Sequence, residues 1–266
     1  DSSVRRPDML GSILSTAATS ALALSIGKGS EWGWSSARVV GLLTFTVVGT
    51  GFLARRISRH EDPILPLPLL AIPSFRVAIS SLFLFGLGFF SSMLVVVLYL
   101  TEMAGYSTVR TGFGVSVLAI MAFTTANFSG RLADRFGHRR IAVPGMCSFI
   151  LGCLWLYQNA GANPSFFVDV FPALVLMGAG IGSGPTLLSA AAVSEVDPSN
   201  FSVAGAVAQT ARQLSGAIGI SIAVAISGSN ADEDAFRATF LYLTIVAAMS
   251  AIAALKLPAA NATRKL

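Results

Sequence analysis

The stretch VRTGFGVSVLAIMAFTTANFSGRLADRFGHRRIAV, residues 109–143, sets a long apolar run against a short arginine-rich turn. Residues 109–130 hold a single charge, Arg110, near their start. A helix rises 1.5 Å per residue, so a run of this length crosses the roughly 30 Å of bilayer hydrocarbon. The next ten residues carry Arg131, Arg135, Arg139 and Arg140 around one acid, Asp134. Gly130 would let the helix end approach a neighbour closely, and Gly137 permits a tight reversal with positive φ. The later arginines would anchor the next helix at a cytoplasmic surface. An ordinary positive loop needs only the arginines, not Gly130, Asp134 and Gly137 in register.

Seven further apolar runs of similar length surround this one: 9–27, 37–54, 75–100, 141–158, 166–192, 202–227 and 236–257. The chain is 54% hydrophobic and 12% charged, with a mean hydropathy of +0.72. So few charges could not cover a soluble domain of 266 residues, so a soluble enzyme, a disordered tail and a disulfide scaffold are excluded. Alternating strand patterns are absent, which excludes a barrel. The fold class is an all-α integral membrane protein of about eight transmembrane helices. Cys147 and Cys153 lie six apart in one apolar run and read as packed or lipid-facing thiols. His60 and His138 stand in polar segments without metal-binding partners, so no metal site is expected.

The net charge of +5 reads as loop charge on a membrane protein, not as a nucleic-acid surface. With the start taken as cytoplasmic, thirteen basic residues fall on the inside and only Lys28, Arg38, Arg110 and Arg237 on the outside. That bias puts both termini in the cytoplasm. The acids Asp232, Glu233 and Asp234 then face out, as do Trp32 and Trp34, which suit an interfacial belt or a substrate-stacking role. The longest connection, 55-RRISRHEDPILPLPLLAIP-73, reads as a stiff charged linker. It divides the chain into a helix pair (1–57), a cytoplasmic linker (58–74), a six-helix bundle (75–258) and a tail (259–266). The six helices form two triplets of opposite orientation, a layout used by many transporters.

The segment 130-GRLADRFGHRRIAV-143 resembles the cytoplasmic G-x-L-A-D-R-x-G-R-[RK] signature of the major facilitator superfamily. Eight positions match: Gly130, Leu132, Ala133, Asp134, Arg135, Gly137, Arg139 and Arg140; His138 replaces an arginine. Two further stretches are similar to the fourteen-helix drug:proton antiporters of that superfamily. They are 205-GAVAQTARQLSGAIGISI-222, with Ser215 for a glycine, and 98-LYLTEMAGYSTVRTGF-113. In the second, Thr101, Thr108 and Thr111 replace the family's glutamine, proline and alanine. The resemblance implies a central helix pair followed by the C-terminal six-helix bundle of a major facilitator fold. It also implies that the N-terminal transporter half is missing from this chain, which is then a fragment, a truncated product or one half of a split gene.

The expected function is proton-coupled export of drugs or amphipathic compounds from the cell membrane, with a proton gradient as energy source and no cofactor. The alternatives are export of a defined metabolite or lipid, or a truncated non-transporting membrane protein. The expected partners are the lipid bilayer, a small amphipathic substrate and the absent N-terminal half, with no nucleic acid. Gly130, Asp134, Arg135, Gly137, Arg139 and Arg140 form a cytoplasmic gating motif. Arg212 is the one cation inside a span, flanked by Gln209 and Gln213. It reads either as a cavity or gate residue or as a snorkelling side chain. Glu102 reads as a proton carrier or as an interfacial residue at a helix end. Gly178, Gly180, Gly182 and Gly184 pair at small-xxx-small spacing for close packing, and Pro185 adds a hinge. No His, Cys or carboxylate cluster points to an enzyme.

Overall fold

A computed structural model describes residues 9–57, 67–161, 163–227 and 232–257. The chain termini, His60, Pro63, Pro66 and the tail 259–266 lie outside the described residues. The described chain runs α1 (Met9–Trp32), α2 (Ala37–Ile57), α3 (Leu67–Ala71), α4 (Pro73–Leu98), α5 (Thr108–Phe136), α6 (His138–Asn159), α7 (Phe171–Val193), α8 (Phe201–Ser227) and α9 (Glu233–Ala254). Two short π-helical turns, Tyr99–Met103 and Phe166–Val170, extend α4 and precede α7. Among the described residues there is no strand.

Polar residues set the helix starts. Ser107 accepts from the Arg110 N–H at the head of α5, and Asp232 accepts from Ala235 N–H at 2.8 Å at the head of α9. Pro73 and Pro172 sit in the first turns of α4 and α7, where a missing N–H is tolerated. Asp197 takes the Ser199 N–H at 2.9 Å and starts the 3₁₀ turn Pro198–Asn200 that leads into α8. The Ser199 hydroxyl and N–H hold the Asp197 carboxyl below its ordinary range.

Seven of the long helices are long and apolar enough to cross a membrane. The eighth, α8, has the length at 27 residues, but Gln209, Arg212 and Gln213 lower its hydropathy. The segment expected as linker up to residue 74 is shorter than read. Leu67–Ala71 forms one helical turn with Leu69 buried, and α4 has already begun at Pro73. The apolar side chains around Leu69 and Phe75 are drawn into the core, which ends the linker early.

The core lies among α4, α6, α7 and α9, with α5 packed on α7 and α8 on α4. Phe85 and Phe149 meet at 5.2 Å between ring centroids, and Tyr99 stands edge-on to Phe236 and Phe240. Buried polar groups close on themselves: the Ser81 hydroxyl donates to Ser250 O at 2.6 Å, and the Ser250 hydroxyl returns a bond to Ser81 O at 2.7 Å. The outer faces are apolar, as lipid requires: Phe113 is 75% exposed and Phe123 74%. The α1–α2 hairpin joins the bundle through α1, which packs on α8.

Candidate functional site

The expected motif turn is almost entirely helical. Residues 130–136 are the last two turns of α5 and His138 opens α6, so Gly137 alone connects them. Nothing between 131 and 136 breaks a helix, and α5 therefore outruns the apolar run that ends at 130. Gly137 is buried and has φ 90° and ψ 148°, and its N–H donates to Ala133 O at 2.8 Å. Beneath it, buried Ala133, Ala142 and Leu187 pack together, which ties the turn to α7. The close approach expected at Gly130 is not made within this chain. A Cβ there would meet nothing within 4 Å, because no described element crosses that side of α5.

Asp134, Arg131, Arg135 and Arg140 are exposed, and Arg139 is half-buried. Among the described residues no ion pair engages any of them. Asp134 lies in the last turn of α5, where the helix dipole disfavours an acid. His138, Arg139 and Arg140 lie in the first turn of α6, where it disfavours cations. On the same end of the bundle, the Ser74 hydroxyl donates to the exposed Glu195 carboxylate at 2.6 Å, joining the start of α4 to the segment after α7. The two residues are 121 apart, so no local spacing could have revealed the pair.

The opposite end is arranged differently. Lys28 pairs with Glu31, and Arg237 pairs with Glu233 at 2.7 Å while donating to Ala160 O at 3.3 Å. The Arg110 guanidinium lies 3.7 Å from the Tyr106 ring centroid, and Arg38 lies 5.7 Å from that of Trp32. These pairs are i,i+3, i,i+4 and i,i+6 neighbours in the sequence, a spacing that the charge bias between loops does not single out. Glu102 is exposed in the π-turn Tyr99–Met103 at this end. Beside it runs an open groove of about 360 Å³ between α4 and α5, bordered by Val97, Thr101, Thr108, Thr111 and Ser116. The Thr111 hydroxyl is buried there and, among the described residues, has no hydrogen-bond partner.

On α8, Arg212 donates to the Gln209 side chain one turn back, so these two share a face. Gln209 and Gln213 are exposed and Arg212 is half-buried. Ser215 closes on Arg212 O at 2.7 Å, directly against Gly86 of α4. The structure does not gather the expected site residues into one place. Asp134 and Glu102 sit at opposite ends, and α4 and α7 stand between α5 and α8.

The glycine run of α7 makes close crossings on three sides. A Cβ on Gly178 would come within 2.6 Å of Leu118 O, and one on Gly182 would collide with Ala122 and Thr125, both on α5. Gly180 faces Gly145 O of α6 at 2.6 Å by the same measure, and Gly184 faces the Phe85 ring of α4 at 3.1 Å. Pro185 is buried within α7 just beyond them. Sequence reading missed the answering residues Gly145 and Gly152 of α6, whose backbone meets α7.

The family model of the Major Facilitator Superfamily matches residues 7–220 and 78–266. Among curated relatives, the chain is 23% identical to a lincomycin resistance protein of Listeria monocytogenes, over 82% of this chain and 46% of that protein. It is 26% identical to the multidrug resistance protein Stp of Mycobacterium tuberculosis, over 82% of this chain and 40% of that protein. It is 27% identical to the methylenomycin A resistance protein of Streptomyces coelicolor, over 84% of this chain and 47% of that protein. The chain thus spans under half the length of these relatives. With its family matches running from residue 7 to residue 266 and its helices apolar enough to span a bilayer, this chain is a multi-pass membrane protein belonging to the Major Facilitator Superfamily.

Proposed function

We propose that this chain forms the C-terminal part of a secondary active exporter that moves drugs or other amphipathic compounds across the cell membrane, driven by the proton gradient. The observation that carries the reading is the likeness to three resistance proteins over more than four fifths of the chain. In this reading the chain supplies one of two rocking bundles and one wall of a cavity near the middle of the membrane. Its work is carriage and not catalysis. Both termini and the Asp134 motif face the cytoplasm, in keeping with the positive-inside bias.

The residues then divide the work. Asp134, Arg135, Arg139 and Arg140 clasp a helix of the N-terminal half when the cytoplasmic side is closed, and Gly130 leaves room for it. Among the described residues Asp134, Arg139 and Arg140 have no ion pair and oppose their helix dipoles, which supports this role, because a partner outside the chain would remove that cost. Gln209, Arg212 and Gln213 offer polar contacts to substrate or to a carboxylate of the other half. Glu102 is this chain's candidate for a proton-accepting group. The close crossings at Gly178, Gly180, Gly182 and Gly184 let the bundle move as one body, with Pro185 as the point of give.

The test uses the complete transporter that carries this chain, in vesicles loaded with a cationic amphipathic dye. Dye export should need a proton gradient and stop when an uncoupler collapses it. A complete transporter that leaves dye distribution unchanged, with and without the gradient, would refute the proposal.

A further inference from the structure

We propose that the crevice between the distal ends of α1 and α2 holds an anionic glycerophospholipid, with Arg38 on the phosphate and one acyl chain running inward along Leu24 and Leu42. The crevice is open, about 380 Å³, and is lined by Leu24, Trp32, Arg38, Gly41 and Leu42. Its chemistry is graded along the membrane normal. Arg38 and Trp32 stand at the helix ends, where headgroups lie. Leu42 lies four residues inward on α2 and Leu24 eight residues inward on α1, which is about 6 Å and about 12 Å along each helix. Arg38 borders the slot with its aliphatic stem, so the slot itself is apolar and the guanidinium stands at its rim beside Trp32, the shape of a lipid headgroup over its glycerol and upper acyl chain.

Charge complementarity selects the anionic class. Arg38 is exposed and, among the described residues, pairs with no carboxylate. Its guanidinium lies 5.7 Å from the Trp32 ring centroid, and that contact consumes none of its N–H donors, which stay available for the two oxygens of a phosphodiester. The nearby Lys28 is already neutralised by Glu31, so Arg38 is the cation with charge to offer there. Gly41 widens the slot: nothing lies within 4 Å of where its Cβ would stand. The site belongs to the helix pair, apart from the α5–α6 motif and the polar face of α8, and it stands whatever the transported compound is.

The experiment is thermal unfolding of residues 1–266, purified and delipidated in neutral detergent, titrated with short-chain phosphatidylglycerol and, separately, phosphatidylcholine. Phosphatidylglycerol should raise the Tm saturably and phosphatidylcholine should not. Arg38→Gln should weaken the apparent affinity for phosphatidylglycerol about tenfold. Gly41→Leu should weaken it by filling the slot while leaving the charge in place. Neither position is tightly packed, so both variants should unfold like the parent without lipid. Arg110→Gln, a cation at the same end outside the crevice, should titrate like the parent. Equal responses to the two lipids, an unchanged titration in Arg38→Gln or in Gly41→Leu, or an equal loss in Arg110→Gln would each overturn the proposal.

Discussion

The two ends of this bundle treat charge in opposite ways. At the distal end Glu233 and Asp234 stand in the first turn of α9, where the helix dipole favours acids, and Asp232 caps it. Lys28 and Arg237 there pair with Glu31 and Glu233, while Arg110 and Arg38 lie over the rings of Tyr106 and Trp32. At the α5–α6 turn the acid sits at a helix C-terminus and three basic residues at a helix N-terminus. No ion pair relieves them among the described residues. Only Arg135, in the last turn of α5, agrees with its dipole. One end pairs two of its four cations with carboxylates and lays the other two over aromatic rings. The other has a buried, well-fixed scaffold of Ala133, Gly137, Ala142 and Leu187 that presents unmatched charge. In the proposed exporter that unmatched display of charge is where the other half docks.

The largest expected effect concerns which side each end faces. In a background without Cys147 and Cys153, Lys28→Cys should react with an impermeant thiol reagent in sealed cells, and Arg139→Cys should react only after the cells are opened. Reaction of both from outside would break the comparison. Next in size is neutralisation of one acid at each end of the complete transporter. Asp134→Asn should cut export about tenfold with expression unchanged, since a lost charge-assisted pair is worth about 1.5–3 kcal/mol. Glu233→Gln removes one exposed i,i+4 pair, worth about 0.3–0.5 kcal/mol, and should change export less than twofold. Equal effects would erase the distinction between the ends.

Smaller still is Arg110→Gln, which removes the cation over the Tyr106 ring and should lower stability by about 0.5–1 kcal/mol, read as a shift in Tm. The smallest effect belongs to the head of α8. The Asp197 carboxyl is held below its ordinary range by Ser199, so its support is present above the unfolded value and fades as pH falls through the folded one. Asp197→Asn should therefore flatten the acid limb of the stability curve slightly; a curve identical to the parent's would show that the cap contributes nothing.

The long helices were legible because apolar runs of this length have few alternatives in lipid, and their ends fell near Gly, Pro and capping residues. The α5–α6 turn was misread as a loop because charge density was taken for irregularity. Arg131, Leu132, Ala133 and Arg135 are good helix formers, and only Gly137 breaks the run. Leu67–Ala71 was hidden inside a proline-rich segment because tertiary burial of Leu69, and not local propensity, makes that turn. Gly178 to Gly184 were readable as a packing stripe, but their partners on α4, α5 and α6 were not, since crossings between distant helices leave no local pattern. The pairing of Ser74 with Glu195 was out of reach for the same reason. Arg212 was recognised as unusual from its place in an apolar run; that it turns back to Gln209 was within reach of i,i+3 spacing.

The central claim is that this chain carries one bundle of a two-bundle exporter, with an end made to meet the other. Its most direct test is drug resistance and proton-dependent efflux from residues 1–266 alone, in an efflux-deficient host where membrane insertion has been confirmed. The account predicts resistance no higher than that of the empty vector, and no dye efflux in vesicles under a proton gradient. Resistance above the vector level, or gradient-dependent efflux from the isolated chain, would contradict it and would show that the chain completes its own cavity.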